Sequence, residues 1–282
     1  MSDRSTASNA THASRSFSRR RWIGSCAAGL LGLGAAWHGD ARSLLAGQRW
    51  YDEQTLGPIQ IHANFSLTPF QPLLDEVAQL QQSLQVHLEA PPAREPIHVF
   101  LFDRKPVYLA YLREYFPRVP YRRALYIKER GPGMVLAFRS PEFDVDLRHE
   151  TTHALLHTGV DDLPLWLDEG LAEYFELPAD QRAGGNPYLA QVQWQATLKQ
   201  VPHLETLDAI QDLEHMGKDE YRAAWAWVHF LLHGAPGGRI ELIRYLADLR
   251  SGVDAERLST RLARRMPDRE SQFLQHFKQF KT

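Results

Sequence analysis

Cysteine is nearly absent from this chain, since Cys26 is the only one among its 282 residues. We expect Cys26 to lie in an N-terminal segment that is removed, in which case the mature chain has no disulfide and no thiol chemistry. The residues Ile23–Cys26 show a faint similarity to a lipobox, so lipidation at Cys26 is the alternative. The apolar run continues past Cys26 instead of ending there, which argues against that alternative.

An excess of charge of one sign is also lacking. The 32 Lys and Arg residues nearly balance the 34 Asp and Glu residues, for a net charge of −2. That balance gives no argument for a nucleic-acid partner, and we expect none. No tandem repeat is present, and a composition of 44% apolar and 23% charged residues is ordinary for a soluble globular protein. The composition leaves the oligomeric state open.

Residues 1–40 are typical of a targeting segment and not of a folded domain. The arginines Arg19–Arg21 precede a Gly/Ala/Leu-rich stretch from Trp22 to Ala36. That stretch is short and only moderately apolar, which favours a signal segment over a transmembrane span. The pattern resembles a twin-arginine export signal, with Trp22 where Phe is more usual. It implies a periplasmic or extracellular protein whose mature chain has no stable membrane insertion. A Sec signal and an uncleaved membrane anchor are the alternatives.

The stretch from Leu147 to Glu176 carries the strongest functional signal. An H-E-x-x-H sequence runs from His149 to His153, and residues four apart on a helix lie one above the other on the same face. Two imidazoles at that spacing can bind a single metal ion. Glu150, directly after the first histidine, could take a proton from water that the metal activates. The alternative is an ordinary amphipathic helix with two surface histidines.

A second helix follows and carries further carboxylates. Residues 161–164, which read DDLP, are typical of a helix start with a capping acid and a proline near the first turn. Glu169, Glu173 and Glu176 then follow at spacings of four and three, which places them on one face. The interval between His153 and Glu169 is long enough for one helix to end and another to pack against it.

The H-E-x-x-H motif followed by Trp166–Tyr174, which reads WLDEGLAEY, resembles the gluzincin metallopeptidases. The similarity is closest to the aminopeptidase-like branch and to the small peptidase MA-like domains, which carry a W-L-x-E-G-x-A block. In that family the Glu of the E-G pair is the third zinc ligand, which corresponds to Glu169. The family's general base corresponds to Glu150. A carboxylate one turn after the third ligand commonly orients a zinc-bound histidine, and Glu173 occupies that position.

The resemblance therefore implies one Zn²⁺ per chain, held by His149, His153 and Glu169. A metzincin site would instead need Gly seven residues and His ten residues after the first ligand. Those positions hold Leu156 and Gly159, so the sequence excludes the metzincin arrangement.

Four other histidines have both a metal-binding and a packing interpretation. His157 continues the helical face of the motif but lies two turns from its first ligand, so we expect a packed or solvated residue. His98 lies in a buried strand and is expected to be structural. His229 and His233 are four residues apart on a later helix without a carboxylate at the second position. We expect one core and one surface residue there, and no second metal site.

Residues 48–176 are predicted to form an α+β metal-binding subdomain. Alternating runs around Gly57-Pro58 predict a hairpin, and the periodicity elsewhere predicts helices and strands. The helices are Pro69–His87, Arg104–Phe116 and the metal-binding helix from about Phe143 to His157, and the strands are Ile97–Phe102, Ala124–Ile127 and Met134–Phe138.

Residues 177–282 are predicted to form a helical subdomain. Its six amphipathic segments are Tyr188–Gln200, Leu204–His215, Glu220–Leu232, Arg239–Leu249, Asp254–Arg265 and Glu270–Phe280. The expected fold class is therefore α+β, with a small mixed sheet and helices, then the H-E-x-x-H helix and a mostly α-helical C-terminal lobe.

The strand Met134–Phe138 directly precedes the metal-binding helix. In gluzincins an edge strand at this place pairs with the substrate backbone, so the resemblance implies that role here, with an inner strand as the alternative. The aminopeptidase branch also has a Gly-rich motif that ends in a carboxylate for the substrate's free amine. The segment Gly131–Met134 has no such carboxylate, a departure that weakens the case for aminopeptidase activity.

Tyr221 begins a segment that reads YRAAWAWVHFLL. In aminopeptidase-like gluzincins a tyrosine begins a similar helix, and its hydroxyl stabilises the oxyanion of the transition state. The resemblance implies the same role for Tyr221, whereas the alternative is an ordinary packed tyrosine.

The predicted function is that of a zinc-dependent metallopeptidase acting on a peptide or protein substrate, with Glu150 as general base. The alternatives are a non-catalytic, zinc-stabilised binding protein and a metallohydrolase of non-peptide amides. A carboxylate beside the ligands argues against the binding protein, because a structural site needs no base and fills its fourth position with a protein ligand. The substrate's identity and the choice between endo- and exopeptidase action stay open.

Overall fold

The computed structural model describes residues 50–128, 131–160, 162–234 and 236–281. The structure is 54% helix and 11% strand, and it contains a five-stranded mixed sheet and ten α-helices. This content confirms the predicted α+β class. The expected export signal in residues 1–40 lies outside the described residues. Within them, no helix combines the length and the apolar character needed to cross a membrane.

The sheet has the strand order β1-β2-β3-β5-β4. Its strands are β1 (Asp52–Leu56), β2 (Ile59–Ala63), β3 (Ile97–Phe102), β4 (Ala124–Ile127) and β5 (Met134–Phe138). The hairpin β1–β2 is antiparallel and turns at Gly57, whose φ of 58° is a conformation that favours glycine. Strands β2, β3 and β5 run parallel, and β4 is antiparallel to β5.

The prediction that Met134–Phe138 lies at the sheet edge is wrong. That strand, β5, pairs with β3 on one side and with β4 on the other, and all five of its residues are buried. Because β4 and β5 form a hairpin, only one of them can pair with β3, and that pairing falls to β5. The edge strand next to the helix that carries the H-E-x-x-H motif is therefore β4.

The ten helices follow the predicted segments closely. They are α1 (Gln71–Leu88), α2 (Lys105–Tyr115), α3 (Phe143–Leu156), α4 (Leu165–Phe175), α5 (Leu189–Thr197), α6 (Leu204–Asp208), α7 (Lys218–His233), α8 (Pro236–Arg250), α9 (Leu258–Arg265) and α10 (Arg269–Gln279). The predicted helix Leu204–His215 is interrupted. Helix α6 ends at Asp208, and a short 3-10 helix follows at Leu213–His215. The buried Asp208 carboxylate accepts hydrogen bonds from the Trp166 indole at 2.6 Å and from the backbone of Ser259 at 3.1 Å.

The predicted start of the helix that carries Glu169 is confirmed in position, but the predicted capping acid is not seen. Helix α4 begins at Leu165, and Pro164 occupies the N-cap position without a side-chain hydrogen bond to the helix. Asp162 is exposed, and Asp161 lies outside the described residues. The proline therefore ends the preceding loop, and no capping acid is seen among the described residues at this helix end.

Two hydrophobic cores lie on opposite faces of the sheet, and β3 contributes alternately to both. Val99 and Leu101 face the larger core, which includes α1 and α3, whereas Phe100 and Phe102 face the smaller core under α2. This alternation is the period-two pattern of a strand buried on both faces. The helix α3, which carries the H-E-x-x-H motif, thus rests on the sheet through the larger core, which fixes its position.

The other predicted packing histidines are buried or exposed as expected. His98 is buried in β3 with its Nδ1 atom 3.2 Å from Nε2 of His62. His229 is fully buried beside His276, and burial lowers the pKa of His229 to about 3. His233 is exposed, and its Nε2 atom lies 2.7 Å from the hydroxyl of Tyr174. These residues have packing roles, in agreement with the prediction.

Helices α4 and α7 cross in close contact at Gly170. A Cβ atom at this glycine would lie 2.7 Å from the carbonyl oxygen of Ala224 and 2.9 Å from Cγ2 of Val228. Glu169 directly precedes Gly170, and Tyr221 lies three residues before Ala224 on α7. The missing side chain of Gly170 therefore sets how closely these two predicted site residues approach.

The variant Gly170→Ala is expected to destabilise the fold by about 1–3 kcal/mol, because the added methyl group has no space against the backbone of α7. The free energy of unfolding, measured by urea denaturation, tests this expectation. The control is Gly237→Ala in α8, where the new Cβ would meet only Met266 at an ordinary 3.8 Å. An unchanged stability for Gly170→Ala would contradict the close crossing.

Candidate metal centre

The two motif histidines lie inside the protein and not on its surface. His149 and His153 are each 1% exposed, and helix α3 is buried along nearly its whole length. The alternative of an amphipathic helix with two surface histidines is therefore excluded. A buried imidazole needs partners for its two ring nitrogens, so the positions of its neighbours identify its role.

The three predicted metal ligands converge on one point. The Nε2 atoms of His149 and His153 are 3.2 Å apart, and the Glu169 carboxylate lies 3.6 Å from the first and 3.8 Å from the second. Ligand atoms about 2.0–2.1 Å from a tetrahedral metal ion lie about 3.3 Å from one another. The observed separations are close to that value, so the three side chains can hold a single ion.

A separate carboxylate holds the far nitrogen of each histidine. Glu176 Oε2 lies 2.8 Å from Nδ1 of His149, and Asp168 Oδ1 lies 2.8 Å from Nδ1 of His153. Because a carboxylate accepts hydrogen bonds, we assign a ring proton to Nδ1 of each imidazole, which in the neutral ring leaves Nε2 as the acceptor. The Nε2 lone pairs then face each other and the Glu169 carboxylate.

The environment of the Glu169 carboxylate fits a cation at this point. Glu169 is 1% exposed, and neither of its oxygens accepts a hydrogen bond from any residue that the structure describes. A buried carboxylate without donors costs free energy, and the Nε2 atoms of His149 and His153 that face it are acceptors when the rings are neutral. A divalent cation satisfies all three groups at once, and imidazole and carboxylate are ligands that transition metals accept.

Two carboxylates besides the predicted Glu173 contact the histidines. The predicted role of Glu173 in orienting a ligand stays a prediction, and the hydrogen bonds described above are accepted by Glu176 and Asp168. Glu173 does lie nearby, with a carboxylate oxygen within 4.8 Å of a ring nitrogen of His149 and of Glu176. Asp168 was overlooked because it is not on the helical face shared by the three glutamates. Its position directly before Glu169 in the sequence was the only available signal, and that position does not specify its partner.

Helix α3 also fixes the end of α4 from which Glu176 projects. Arg148, buried next to the first ligand, donates from Nε to the carbonyl oxygen of Glu176 at 2.5 Å and from Nη1 to Glu76 at 2.6 Å. Arg182 donates to the next carbonyl, that of Leu177, at 3.0 Å. These bonds satisfy carbonyl groups at the helix end, which would otherwise lack partners.

His157 is a packed residue, as the preferred interpretation expected. Its Nε2 atom lies 3.0 Å from Oδ2 of Asp168, and its ring stacks on Tyr126 with centroids 5.7 Å apart. The nitrogen and oxygen atoms of His153, His157 and Asp168 also form a compact group. Their separations of 2.8 and 3.0 Å are those of hydrogen bonds, so this group is an extension of the site and not a second one.

The predicted catalytic residues lie in the same buried region. Glu150 is 3% exposed, and Tyr221 is also 3% exposed. Burial raises the pKa of the Tyr221 hydroxyl well above its ordinary value, and the charges of Glu169, Glu173 and Glu150 add to that shift. Tyr221 is therefore a neutral hydrogen-bond donor within the electrostatic reach of the three glutamates.

A second tyrosine, Tyr108, was not singled out in the sequence. It lies on α2, its hydroxyl is fully buried, and no described residue forms a hydrogen bond with that hydroxyl. Burial first, and then the charge of Glu150, raise the pKa of Tyr108 well above its ordinary value. Sequence alone offered no signal for it, because α2 is distant from the motif along the chain.

A scan against protein-family models finds no match to this chain, and a search of curated proteins finds no significant match either. The similarity to gluzincins thus rests on the residues from His149 to Tyr174. The geometry by itself establishes a buried group of His and Glu residues that could hold a metal ion.

A divalent metal ion is expected to stabilise the protein, because it would satisfy the buried acceptors of the site. At a free ion concentration a hundredfold above Kd, the gain is about 2.7 kcal/mol. The measurement is the Tm of the full chain with chelator and with one equivalent or more of Zn²⁺ or another divalent ion.

The variant Glu169→Gln should lose most of this metal-dependent rise in Tm. The matched control is Glu53→Gln, which changes a carboxylate that pairs with His62 at 2.6 Å outside the site. The control should keep the full rise. An equal rise in both variants would show that the ion binds elsewhere.

Proposed function

We propose that this protein is a zinc-dependent metallopeptidase of the gluzincin type. The observation that carries the proposal is the convergence of His149, His153 and Glu169 around one point, with the buried Glu150 on the same helix. In the described part of the chain the group has three ligands, one fewer than the four of a structural zinc site. Three ligands with an adjacent base favour hydrolysis over a purely structural role.

Zinc in such a site supplies a Lewis acid that lowers the pKa of water to about 7 and polarises a substrate carbonyl. The protein's own part begins with Glu150. Its carboxylate accepts the proton from the attacking water and passes that proton to the leaving amine. Burial of Glu150 supports this role, because a dry site keeps the proton between the reacting groups.

Tyr221 supplies a hydrogen bond in this proposal. Its hydroxyl stays protonated at all physiological pH values, since burial and nearby carboxylates oppose its ionisation. A neutral donor fixed in place can stabilise the negative charge that develops on the carbonyl oxygen of the substrate. The close crossing at Gly170 supports the placement, since it brings α7 against the helix that carries Glu169.

The edge strand β4 is the proposed binding place for an extended peptide. It pairs with β5 on one side, from Ala124↔Ala137 to Ile127↔Met134, and it is the last strand of the described sheet. A peptide that adds to such an edge is held through its backbone, with little dependence on its side chains. The role that the resemblance implied for Met134–Phe138 therefore passes to Ala124–Ile127. If residues 1–40 direct export as proposed, the substrates are peptides outside the cytoplasm.

The variant Glu150→Gln is expected to reduce kcat by at least about 10²- to 10⁴-fold, because the amide cannot accept the proton. Fold and metal content should stay unchanged, since Glu150 is not a ligand. Digestion of a peptide library with and without chelator measures the activity, and metal analysis measures the ion.

The control for Glu150 is Glu142→Gln, at the N-cap of the same helix and paired with Arg123 at 3.0 Å. This variant should cleave like the wild type. Full cleavage by Glu150→Gln would contradict its assigned role, and cleavage that resists chelator would contradict the proposed use of a metal.

The variant Tyr221→Phe is expected to lower kcat by about 10²- to 10³-fold with a small change in KM, because the lost hydrogen bond acts in the transition state. Steady-state kinetics on one cleaved peptide provide the measurement. Tyr245→Phe is the matched control, since Tyr245 is equally buried, at 3% exposure, but lies on α8 away from the site. Equal kcat values for Tyr221→Phe and the wild type would show that Tyr221 only packs.

A further inference from the structure

One carboxylate of the site lies between two histidines, and only one of these is a proposed metal ligand. Asp168 is fully buried, with Oδ1 2.8 Å from Nδ1 of His153 and Oδ2 3.0 Å from Nε2 of His157. Each oxygen of the carboxylate thus has its own imidazole partner. His157 itself is 3% exposed and takes no place among the three converging ligands.

This double contact restricts how Asp168 can turn. A carboxylate held through one oxygen can rotate about its side-chain bonds and exchange its two oxygens, but a donor on each oxygen fixes its plane. With the Nε2–H of His157 on one oxygen, the other is held against Nδ1 of His153. That contact keeps the ring proton of His153 on Nδ1 and its Nε2 atom toward Glu169.

His157 is in turn held by the edge strand β4 and by the residue that follows it. The His157 ring stacks on Tyr126 of β4 with an angle of 24° between the ring planes. Lys128, the residue after β4, donates from Nζ to the backbone carbonyl of His157 at 2.8 Å. The position of His157 therefore depends on the strand along which we place the substrate.

The other proposed histidine ligand is oriented from within the helices. His149 is oriented by Glu176, whose backbone is fixed by Arg148 of the same helix as the ligand. The two ligands are thus supported from different directions, one from within α3 and α4 and the other from the sheet edge.

We propose that His157 is a positioning residue, which fixes Asp168 on His153 and so links the edge strand β4 to the metal ligand. The inference rests on the proposed metal site and adds a residue that is neither a ligand nor a catalytic group. An ordinary core histidine could bond any nearby acceptor, whereas the acceptor of His157 is the carboxylate that orients a ligand.

Two substitutions separate this role from simple packing. His157→Leu fills the space but removes the donor, and we expect it to weaken zinc binding by about 10- to 100-fold. His157→Gln can present its amide nitrogen near the place of Nε2, so its zinc affinity should stay close to that of the wild type. Competition titration of the full chain against a chromophoric chelator gives each Kd.

The matched control is His98→Leu, which also removes a buried histidine that forms a hydrogen bond to a side chain. His98 is 6% exposed, and its partner is His62 rather than a carboxylate of the site. This control is expected to lower Tm without changing the Kd for zinc. A fall in Tm for His157→Leu with an unchanged Kd would therefore overturn the proposal, as would equal weakening in His157→Gln and His157→Leu.

A second readout does not need the metal. Nitrogen-15 NMR of the histidine rings in the metal-free full chain reports which nitrogen of His153 carries the proton. We expect the Nδ1-protonated ring in the wild type and in His157→Gln, and a mixture of the two forms in His157→Leu.

If the wild type neither binds zinc nor cleaves peptides, the proposed function fails, while this NMR comparison still decides the role of His157. An unchanged His153 ring state in His157→Leu overturns the proposal independently of activity.

Discussion

The buried carboxylate of Glu169 is the constraint on which the rest of the site depends. It faces two imidazole nitrogens that are themselves oriented as acceptors, and no described residue donates a hydrogen bond to it. Polar groups arranged in this way repel one another unless a cation lies between them. The sheet under α3, the carboxylates behind His149 and His153, and the crossing at Gly170 all serve to hold this arrangement.

The same features explain why so many charged groups lie inside the protein. The buried Asp168 and Glu176 each orient one of the two motif histidines, and the buried Arg148 fixes the helix end that carries Glu176. Buried charged groups are tolerated only with such partners. Stability of this region and readiness to bind an ion are therefore parts of one arrangement, in which α3 and α4 share an apolar core and also meet through polar contacts at the site.

Much of the fold and of the candidate site could be predicted from the sequence, because these features depend on spacing within one helix, on strong periodicity or on a motif. The four-residue interval of the motif placed His149 and His153 together, and the resemblance of the W-L-x-E-G-x-A block to gluzincins pointed to Glu169. Contacts set by tertiary packing could not be predicted in the same way. The use of Asp168 depends on how α3 and α4 cross, which spacing within either helix does not specify.

The order of the strands in the sheet could not be predicted either, because the hydrophobic pattern identifies a strand but not its neighbours. Both β4 and β5 are apolar, so the sequence could not tell which one reaches β3. The most direct test of the central claim is a crystal structure of the full chain with zinc, with anomalous scattering measured at the metal edge. We predict one anomalous peak about 2.0–2.2 Å from Nε2 of His149, Nε2 of His153 and the Glu169 carboxylate. A peak elsewhere, coordination through Nδ1, or a Glu169 carboxylate turned away from the ion would contradict the claim.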